Sequence, residues 1–159
     1  MMCTIGFVLG YATLVLYLLY VFLKDAKIPS SISATVHSLG EGKWWIFTLV
    51  MFAVAFLIAP KLFTITSYFN VAFLAFMTVG GILGVGVEPL VKGEKNIIHY
   101  SSAVVMGVAS QAIVYKLCPM IMLMWTPYVV YTMYAENGKC NMFFAEMVMM
   151  TNLLISCLL

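Results

Sequence analysis

The sequence predicts an all-α integral membrane bundle of six transmembrane helices, with a short interfacial helix in the first loop. Hydrophobic residues make up 64% of the 159-residue chain and charged residues 9%, whereas soluble domains are roughly 45–50% apolar and about 25% charged. Nearly the whole chain falls in apolar stretches long enough to cross a hydrocarbon layer of ~30 Å. Inside a membrane such stretches must satisfy their backbone hydrogen bonds internally, which favours helices. We therefore expect a single polytopic domain over residues 1–159.

The charged residues and motifs exclude several classes of protein. Eight lysines oppose six acidic residues and the chain contains no arginine, so the side chain that grips phosphates and senses voltage is missing. The basic, aromatic-studded surface of nucleic-acid-binding proteins is missing as well, and we expect no nucleic-acid partner. The four cysteines form no CxxC pair, and no GxSxG turn, HExxH helix or Walker loop occurs. We expect no cofactor and no resident metal, and these absences favour a protein that is not an enzyme.

The six predicted spans follow from the apolar stretches and from the residues that interrupt them. The first has no basic region before it, and its apolar run exceeds that of a signal peptide, which favours an uncleaved signal anchor. The second opens on Trp44-Trp45, an indole pair of the kind that anchors helices at the headgroup level, and ends at Pro60-Lys61. Pro119 and the Asn137-Gly138 turn delimit the fifth. The predicted spans are residues 2–23, 44–63, 65–87, 97–117, 118–134 and 141–159.

The first loop, which is the longest, contains a pattern typical of a short helix. Ser30 or Ser31 can cap such a helix. Ile32, Val36 and Leu39 then share one of its sides. We expect the helix to lie in the membrane interface, and an irregular polar linker is the alternative.

The lysines are divided unequally between the two sides of the membrane. With six spans, the first, third and fifth loops share one side, and they hold six of the eight lysines. The positive-inside rule then places these loops in the cytoplasm and both termini outside, in a cell membrane that we expect to be a bacterial inner membrane. If the short fifth segment does not span, the sixth reverses its direction. The six lysines are Lys24, Lys27, Lys43, Lys92, Lys95 and Lys139, and the other two are Lys61 and Lys116.

Four ionisable side chains form the candidate polar site. Glu146 is the one acid inside a predicted span, where inserting a charge costs ~2.5–3.5 kcal/mol and a function is the default hypothesis. The fourth span starts near His99 on the side where the third ends near Glu88, so the three side chains can meet, with His37 arriving from the interfacial helix. A histidine beside carboxylates suits a proton relay or a divalent metal site. The alternatives are a Glu146 that reaches the headgroups and a structural His99 bonded to a loop carbonyl.

Small residues spaced four apart indicate faces for close contact between helices. Packing inside the bundle is the favoured interpretation. The alternative is that one face serves a homo-oligomer or a larger membrane complex, and the lipid bilayer is the remaining expected partner. The residues are Gly6 and Gly10, Gly80 and Gly84, and Ala103 and Gly107.

A few other polar side chains lie deeper in the predicted spans, namely Asn70, Gln111 and Asn152. Interhelical hydrogen bonds average ~0.6 kcal/mol in membranes, so we expect these residues to fix packing rather than to line a pore. A disulfide between two of the cysteines Cys3, Cys118 and Cys157 is an open alternative to free thiols.

Two stretches resemble known membrane proteins. The string IPSSISAT at residues 28–35, followed by WWIF at residues 44–47, resembles small polytopic membrane proteins of Bacteroidetes bacteria and their phages. The run from Val87-Glu88-Pro89 to the HYSSA string at residues 99–103 is similar to the start of the fourth helix in DRAM-like six-helix membrane proteins. The resemblance covers about a third of the chain and implies six helices. It carries no assigned chemistry, and the DRAM-like family is read with both termini in the cytoplasm, opposite to the orientation expected here.

Three functions stay open on the sequence. The leading hypothesis is a non-enzymatic membrane protein that acts through helix or lipid contacts, as an accessory or interaction protein. The second is a small proton- or cation-linked transporter or ion pathway that uses His99 and Glu146. The third is a membrane-embedded lipid-modifying enzyme with its site near His99 and Glu88, at the cytoplasmic headgroup level.

Overall fold

A computed structural model describes residues 2–90, 95–134 and 142–159, apart from the side chains of Met2, Glu88, Lys95 and Asn96. The all-α class is confirmed for these residues. Seven α-helices and two 3₁₀ helices follow one another along the described chain. They are α1 (Met2–Asp25), α2 (Thr35–Ser38), α3 (Trp44–Tyr68), α4 (Ala72–Val87), α5 (Lys95–Leu117), α6 (Trp125–Tyr134) and α7 (Met142–Leu158), with the 3₁₀ helices at Glu88–Leu90 and Pro119–Met124.

Three helices, α1, α3 and α5, are long and apolar enough to cross a membrane by length and composition. Two further apolar helices are shorter, with 16 residues in α4 and 17 in α7. At 1.5 Å per residue they rise about 24 to 26 Å, slightly less than the ~30 Å of a hydrocarbon core. The described helices are therefore those of a multi-pass membrane protein.

Two contacts between distant parts of the chain define the ends of the bundle. Lys61 Nζ lies 3.4 Å from Thr4 Oγ1, which places the start of α1 beside the second half of α3. At the opposite end, the N–H of Phe143 donates to the carbonyl of Ser30 at 3.0 Å, which places the start of α7 beside the first loop. We call these the Thr4 end and the Ser30 end. The first helix runs from the Thr4 end to the Ser30 end, and α7 starts at the Ser30 end and runs back.

Helices that follow one another in the chain pack side by side. The first packs on α3, α3 on α4, α4 on α5, and α5 on α7. Short connections join α3 to α4 and α4 to α5, as is usual for antiparallel neighbours, whereas longer segments separate α1 from α3 and α5 from α7. All five helices supply large side chains that are fully buried, among them Phe7, Phe47, Ile58, Ile82, Ile113 and Leu153.

Glycines bring α1 close to α3. A Cβ atom added at Gly10 would lie 2.7 Å from Cγ2 of Ile58, and one added at Gly6 would lie 3.2 Å from the carbonyl oxygen of Leu57. The face with Gly6 and Gly10 is therefore turned toward α3 of the same chain.

A different pair of glycines brings α4 close to α5. A Cβ atom added at Gly81 would lie 2.7 Å from Cβ of Met106, and one at Gly84 would overlap the hydroxyl of Ser102. Gly80, which was predicted to share this face, has nothing within 4 Å of its added Cβ. Including Gly80 in the close contact was wrong, because the helix turns its neighbour Gly81 toward α5.

Two predicted boundaries between α3 and α4 are wrong. The predicted end at Pro60-Lys61 lies inside α3, which continues to Tyr68. A proline removes one hydrogen bond from a helix, and membrane helices tolerate this where neighbouring groups compensate. Asn70, predicted inside a span, instead forms the turn before α4 with φ = 56°. Asparagine adopts this left-handed conformation more readily than most residues, so the turn lies near the start of the predicted third span and α4 begins after it, at Ala72.

The predicted fifth span is divided into two pieces. Residues Pro119–Met124 form a 3₁₀ helix, and the α-helix that follows has 10 residues. Pro127 provides the physical reason, because it has no N–H to donate to the carbonyl of Leu123 and its ring crowds that carbonyl. A 3₁₀ helix closes its bonds over three residues instead.

The predicted interfacial helix is shorter and more buried than expected. It consists of one turn, Thr35–Ser38, preceded by tight turns at residues 31–34. Ile32 and Leu39 are buried, as expected for its apolar side, and Thr35 is also buried. The segment therefore packs against the helical bundle through these residues, while His37 on its other side is exposed.

Candidate functional site

A short piece of the first loop is inserted among the helices at the Ser30 end. We call residues 31–35 the inserted segment. Ile32, Ser33 and Thr35 within it are all buried. Buried backbone that is not helical must find hydrogen-bond partners elsewhere, since an unpaired buried group costs free energy. The partners come from α1, α5 and α7.

Helix α7 holds the inserted segment through its first turns. The N–H of Ile32 donates to Oε2 of Glu146 at 2.5 Å. The N–H of Phe143, near the start of α7, donates to the carbonyl of Ser30. The first N–H groups of a helix have no partner inside the helix, so the loop carbonyl satisfies one of them. The carboxylate of Glu146 is thus used to fix loop backbone.

Helix α5 contributes His99. Its Nε2 lies 3.2 Å from the hydroxyl of Ser33, and the hydroxyls of Ser33 and Ser31 are 2.9 Å apart. The N–H of Ala34 donates to Oγ of Ser31 at 3.0 Å. This bond closes the turn that precedes α2. The N-cap of α2 itself is Ala34, without a side-chain hydrogen bond, so the predicted serine cap of this helix was wrong.

Helix α1 closes the arrangement through Tyr17. The Tyr17 hydroxyl lies 2.7 Å from Oγ1 of Thr35. The Thr35 hydroxyl in turn donates to the carbonyl of Ile32 at 2.5 Å. Three helices that are distant in the sequence are therefore linked by the five residues of the inserted segment.

A small cavity lies beneath the inserted segment. Its volume is about 20 Å³, enough for one water molecule. Ser33, His99 and Glu146 line it together with apolar side chains from α1, α3, α4 and α5 such as Leu14, Ile82 and Met106. The polar groups face a space of molecular water size rather than an open channel.

The structure brings two of the four predicted site residues together. Glu146 and His99 line the same cavity. His37 is exposed on α2 and is not among the residues that line it, so its expected place in the site was wrong. The side chain of Glu88 lies outside the described residues. Within the described chain, no group of three or more His, Cys, Asp or Glu side chains is placed to hold a metal ion.

Sequence reasoning missed Ser33 and the backbone of Ile32. Ser33 connects His99 to the inserted segment, and Ile32 connects Glu146 to it. The run of serines in the first loop is the sequence signal for this arrangement. A polar string between two apolar spans also indicates backbone that needs partners when it is buried.

A second polar cluster lies between α5, α7 and the start of α6. Oε1 of Gln111 accepts from Nε1 of Trp125 at 2.9 Å and from Nδ2 of Asn152 at 3.4 Å. Nε2 of Gln111 donates to the carbonyl of Met149 at 3.3 Å. Asn152 is fully buried. These bonds join three segments, as expected for polar residues that fix packing.

Four larger hollows in the described part of the chain lie between helices, and apolar side chains dominate them. One of about 450 Å³ lies between α5 and α7 beside Trp125. One of about 330 Å³ lies between α6 and α7, and two more, of about 330 and 210 Å³, separate α1 from α7. All four therefore border α7.

Comparisons with protein-family models, with curated proteins and with solved structures find no match to this chain. The class of the protein follows from its own features. It is a multi-pass membrane protein whose apolar helices enclose a polar loop segment at one end and leave apolar grooves along one side.

Proposed function

We propose that the chain is a six-span membrane protein without catalytic activity, and that it acts through contacts of its helices with lipid or with neighbouring membrane proteins. One observation carries this proposal. The polar side chains of Glu146, His99, Gln111 and Asn152 are hydrogen-bonded to other parts of the same chain. The hollows large enough for a partner are lined mainly by apolar side chains. An accessory or interaction role uses such a surface directly.

The proposed number of six crossings depends on whether the segment between α5 and α7 crosses the membrane. Helix α5 starts beside the inserted segment and runs away from it, while α7 starts again at the Ser30 end. The ring of Tyr131 in α6 lies 5.7 Å from that of Phe144 in α7, near this same end. The 3₁₀ helix and α6 together rise about 27 Å. That length supports a crossing of the membrane despite the division of the segment.

The orientation is proposed from the lysines. Lys24, Lys27 and Lys43 flank the first loop at the Ser30 end, while Lys61 and Lys116 lie in the parts of α3 and α5 toward the Thr4 end. The positive-inside rule then places the Ser30 end in the cytoplasm. Single cysteines at Lys27 and Lys61, in a variant without the four native cysteines, test this with a membrane-impermeant thiol reagent. We expect labelling from outside at position 61 only, and labelling at position 27 would overturn the orientation.

An experiment on function separates lateral contact from transport. Proteoliposomes that carry the purified protein, an internal pH dye and an imposed proton or potassium gradient report any flux. We expect the same leak as in protein-free liposomes. We also expect the protein to retain lipid or a membrane partner through purification in a mild detergent. A flux that Glu146→Gln abolishes and Glu41→Gln preserves would overturn the proposal.

The second candidate function is a proton or cation pathway. The observation in its favour is that His99 and Glu146 line one cavity, since ionisable groups within a membrane commonly mark such pathways. In this candidate the inserted segment would have to move, because the cavity beneath it has room for only one water molecule. The flux experiment above decides between the two. A lipid-modifying site needs space for a headgroup between polar side chains, and a cavity of about 20 Å³ gives that third candidate no support.

A further inference from the structure

Two adjoining apolar hollows lie between helices α1 and α7, and we call the two together the α1–α7 seam. It consists of the two grooves of about 330 and 210 Å³, and both are lined by Val15, Leu18 and Met147. The seam extends from Val8 near the Thr4 end to Phe22 near the Ser30 end. It is therefore an opening along the bundle at which α1 faces the surrounding membrane.

The length of the seam fits one hydrocarbon chain. From Val8 to Phe22 the helix rises about 21 Å, which exceeds the ~15 Å depth of one leaflet, half of a ~30 Å hydrocarbon core. The side chains that line both grooves are almost all apolar, as contact with an acyl chain requires.

The charges at the Ser30 end of the seam indicate the charge of the lipid headgroup that binds there. Ile28 and Pro29 line the seam at the Ser30 end, and the exposed Lys27 directly precedes them. One turn earlier, Lys24 Nζ donates to the carbonyls of Ser38 and Leu39 at 2.6 and 2.9 Å, which holds its charge at this surface. The first loop as a whole carries three lysines against two acids.

We propose that the α1–α7 seam binds one acyl chain of an anionic phospholipid, with the phosphate of that lipid beside Lys27. The inference rests on the proposed lateral-contact function and names the lipid class for it. The acyl chain fills the seam from the Ser30 end, and the lysine at its mouth selects a negative headgroup over a zwitterionic one.

Native mass spectrometry of the full-length protein tests the proposal. The protein is released from a mild detergent after titration with phosphatidylglycerol or phosphatidylcholine of the same acyl composition. We expect phosphatidylglycerol to give the stronger adduct. Because one lysine near a lipid surface contributes about a fivefold preference, Lys27→Gln should weaken the phosphatidylglycerol adduct by about that factor. The matched control is Lys116→Gln, an exposed lysine toward the Thr4 end, which should leave the adduct unchanged.

A second pair of variants tests the groove itself. Leu18→Trp places a large ring in the seam and should reduce the adducts of both lipids, whereas Leu16→Trp, on an exposed face of α1 that does not line the seam, should not. Helical circular dichroism and a single peak in size-exclusion chromatography establish that each variant is folded. If Leu18→Trp does not fold, Lys27→Gln, an exposed change, still decides the matter.

The possible outcomes separate the two proposals. Equal adducts in wild type, Lys27→Gln and Leu18→Trp would overturn the seam as a lipid site, while the lateral-contact function would stand as long as lipid is retained elsewhere. A dimer that Leu18→Trp disrupts would show that a second copy occupies the seam and would also overturn it. Flux dependent on Glu146 would instead overturn the proposed function.

Discussion

The two sides of this bundle are packed by different means. Between α3, α4 and α5 the backbones approach closely, because Gly81 and Gly84 leave no room for even a methyl group against α5. Around α7 the contacts are made by flexible and bulky side chains such as Met147, Met149 and Phe144, and all four grooves border this helix. Membrane helices associate by close van der Waals contact between small residues, so the first side is the rigid one.

The difference explains where the polar groups are used. On the close-packed side the helices need few polar contacts, because packing alone holds them. Helix α7 is held instead by hydrogen bonds, with Glu146 and Phe143 bound to the first loop and Asn152 bound to Gln111. The polar residues that draw attention in the sequence therefore serve first to attach the loosely packed helix.

Replacing Gly81 by alanine should have the largest effect on the close-packed side. The added Cβ atom would lie 2.7 Å from both Cβ of Met106 and the carbonyl oxygen of Ser102. Because these are backbone and near-backbone atoms, α4 and α5 must move apart, and overpacking of this kind costs about 1 to 3 kcal/mol. Unfolding of the detergent-solubilised protein by sodium dodecyl sulfate, followed by circular dichroism, measures the loss.

Gly80→Ala is the matched control for that change. Its added Cβ atom meets nothing within 4 Å, so only helix propensity changes, and alanine is favoured there by about 0.5 to 1 kcal/mol in soluble helices. Equal losses for the two variants would contradict the contrast between the two faces of α4.

Removing the carboxylate of Glu146 should have the next largest effect. Glu146→Ala leaves the buried N–H of Ile32 without its acceptor, and an unsatisfied buried donor costs about 1 to 3 kcal/mol. Amide hydrogen exchange at Ile32 should accelerate by roughly 5- to 150-fold, the equivalent of that range. Glu146→Gln keeps an acceptor oxygen and should retain most of the protection, so equally fast exchange in both variants would contradict the role assigned to the carboxylate.

The second polar cluster should contribute less. Trp125→Phe removes the donor to Gln111 and keeps an aromatic ring, so we expect a loss of about 0.6 kcal/mol, the average for interhelical hydrogen bonds in membranes. The control is Trp44→Phe, a change at an indole that is 40% exposed, and it should be neutral. The same unfolding assay measures both, and a loss above about 2 kcal/mol at Trp125 would indicate that the cluster does more than fix packing.

The sequence was sufficient to predict the helices but not all of their limits. Apolar stretches predict membrane helices because a helix forms all of its backbone hydrogen bonds within one segment, as the membrane interior requires. The predicted helix end at Pro60 and the predicted continuation through Asn70 were wrong for opposite reasons. A helix can continue through a proline, and an asparagine can turn the chain inside an apolar stretch. The division before Pro127 depends on one missing hydrogen bond, which hydropathy does not register.

The candidate site was predicted only in part. His99 and Glu146 could be placed near each other because their helices begin at the same end of the bundle. Their principal partners are a loop backbone and Ser33, and no periodicity predicts where a loop is inserted. Which of Gly80 and Gly81 contacts α5 could not be predicted from the sequence either. Spacing identifies a pair of small residues, but the rotation of the helix decides which residue meets the neighbour.

Gly107→Ala should have the smallest effect and sharpens the comparison between the two sides. Its added Cβ atom would lie 3.1 Å from Sδ of Met149, the far part of a side chain that repacks easily. The gain in helix propensity, up to about 1 kcal/mol, should equal or exceed the cost of that shift. We expect a variant as stable as the wild type or slightly more stable in the unfolding assay. A loss as large as that of Gly81→Ala would show that α5 and α7 are packed as tightly as α4 and α5.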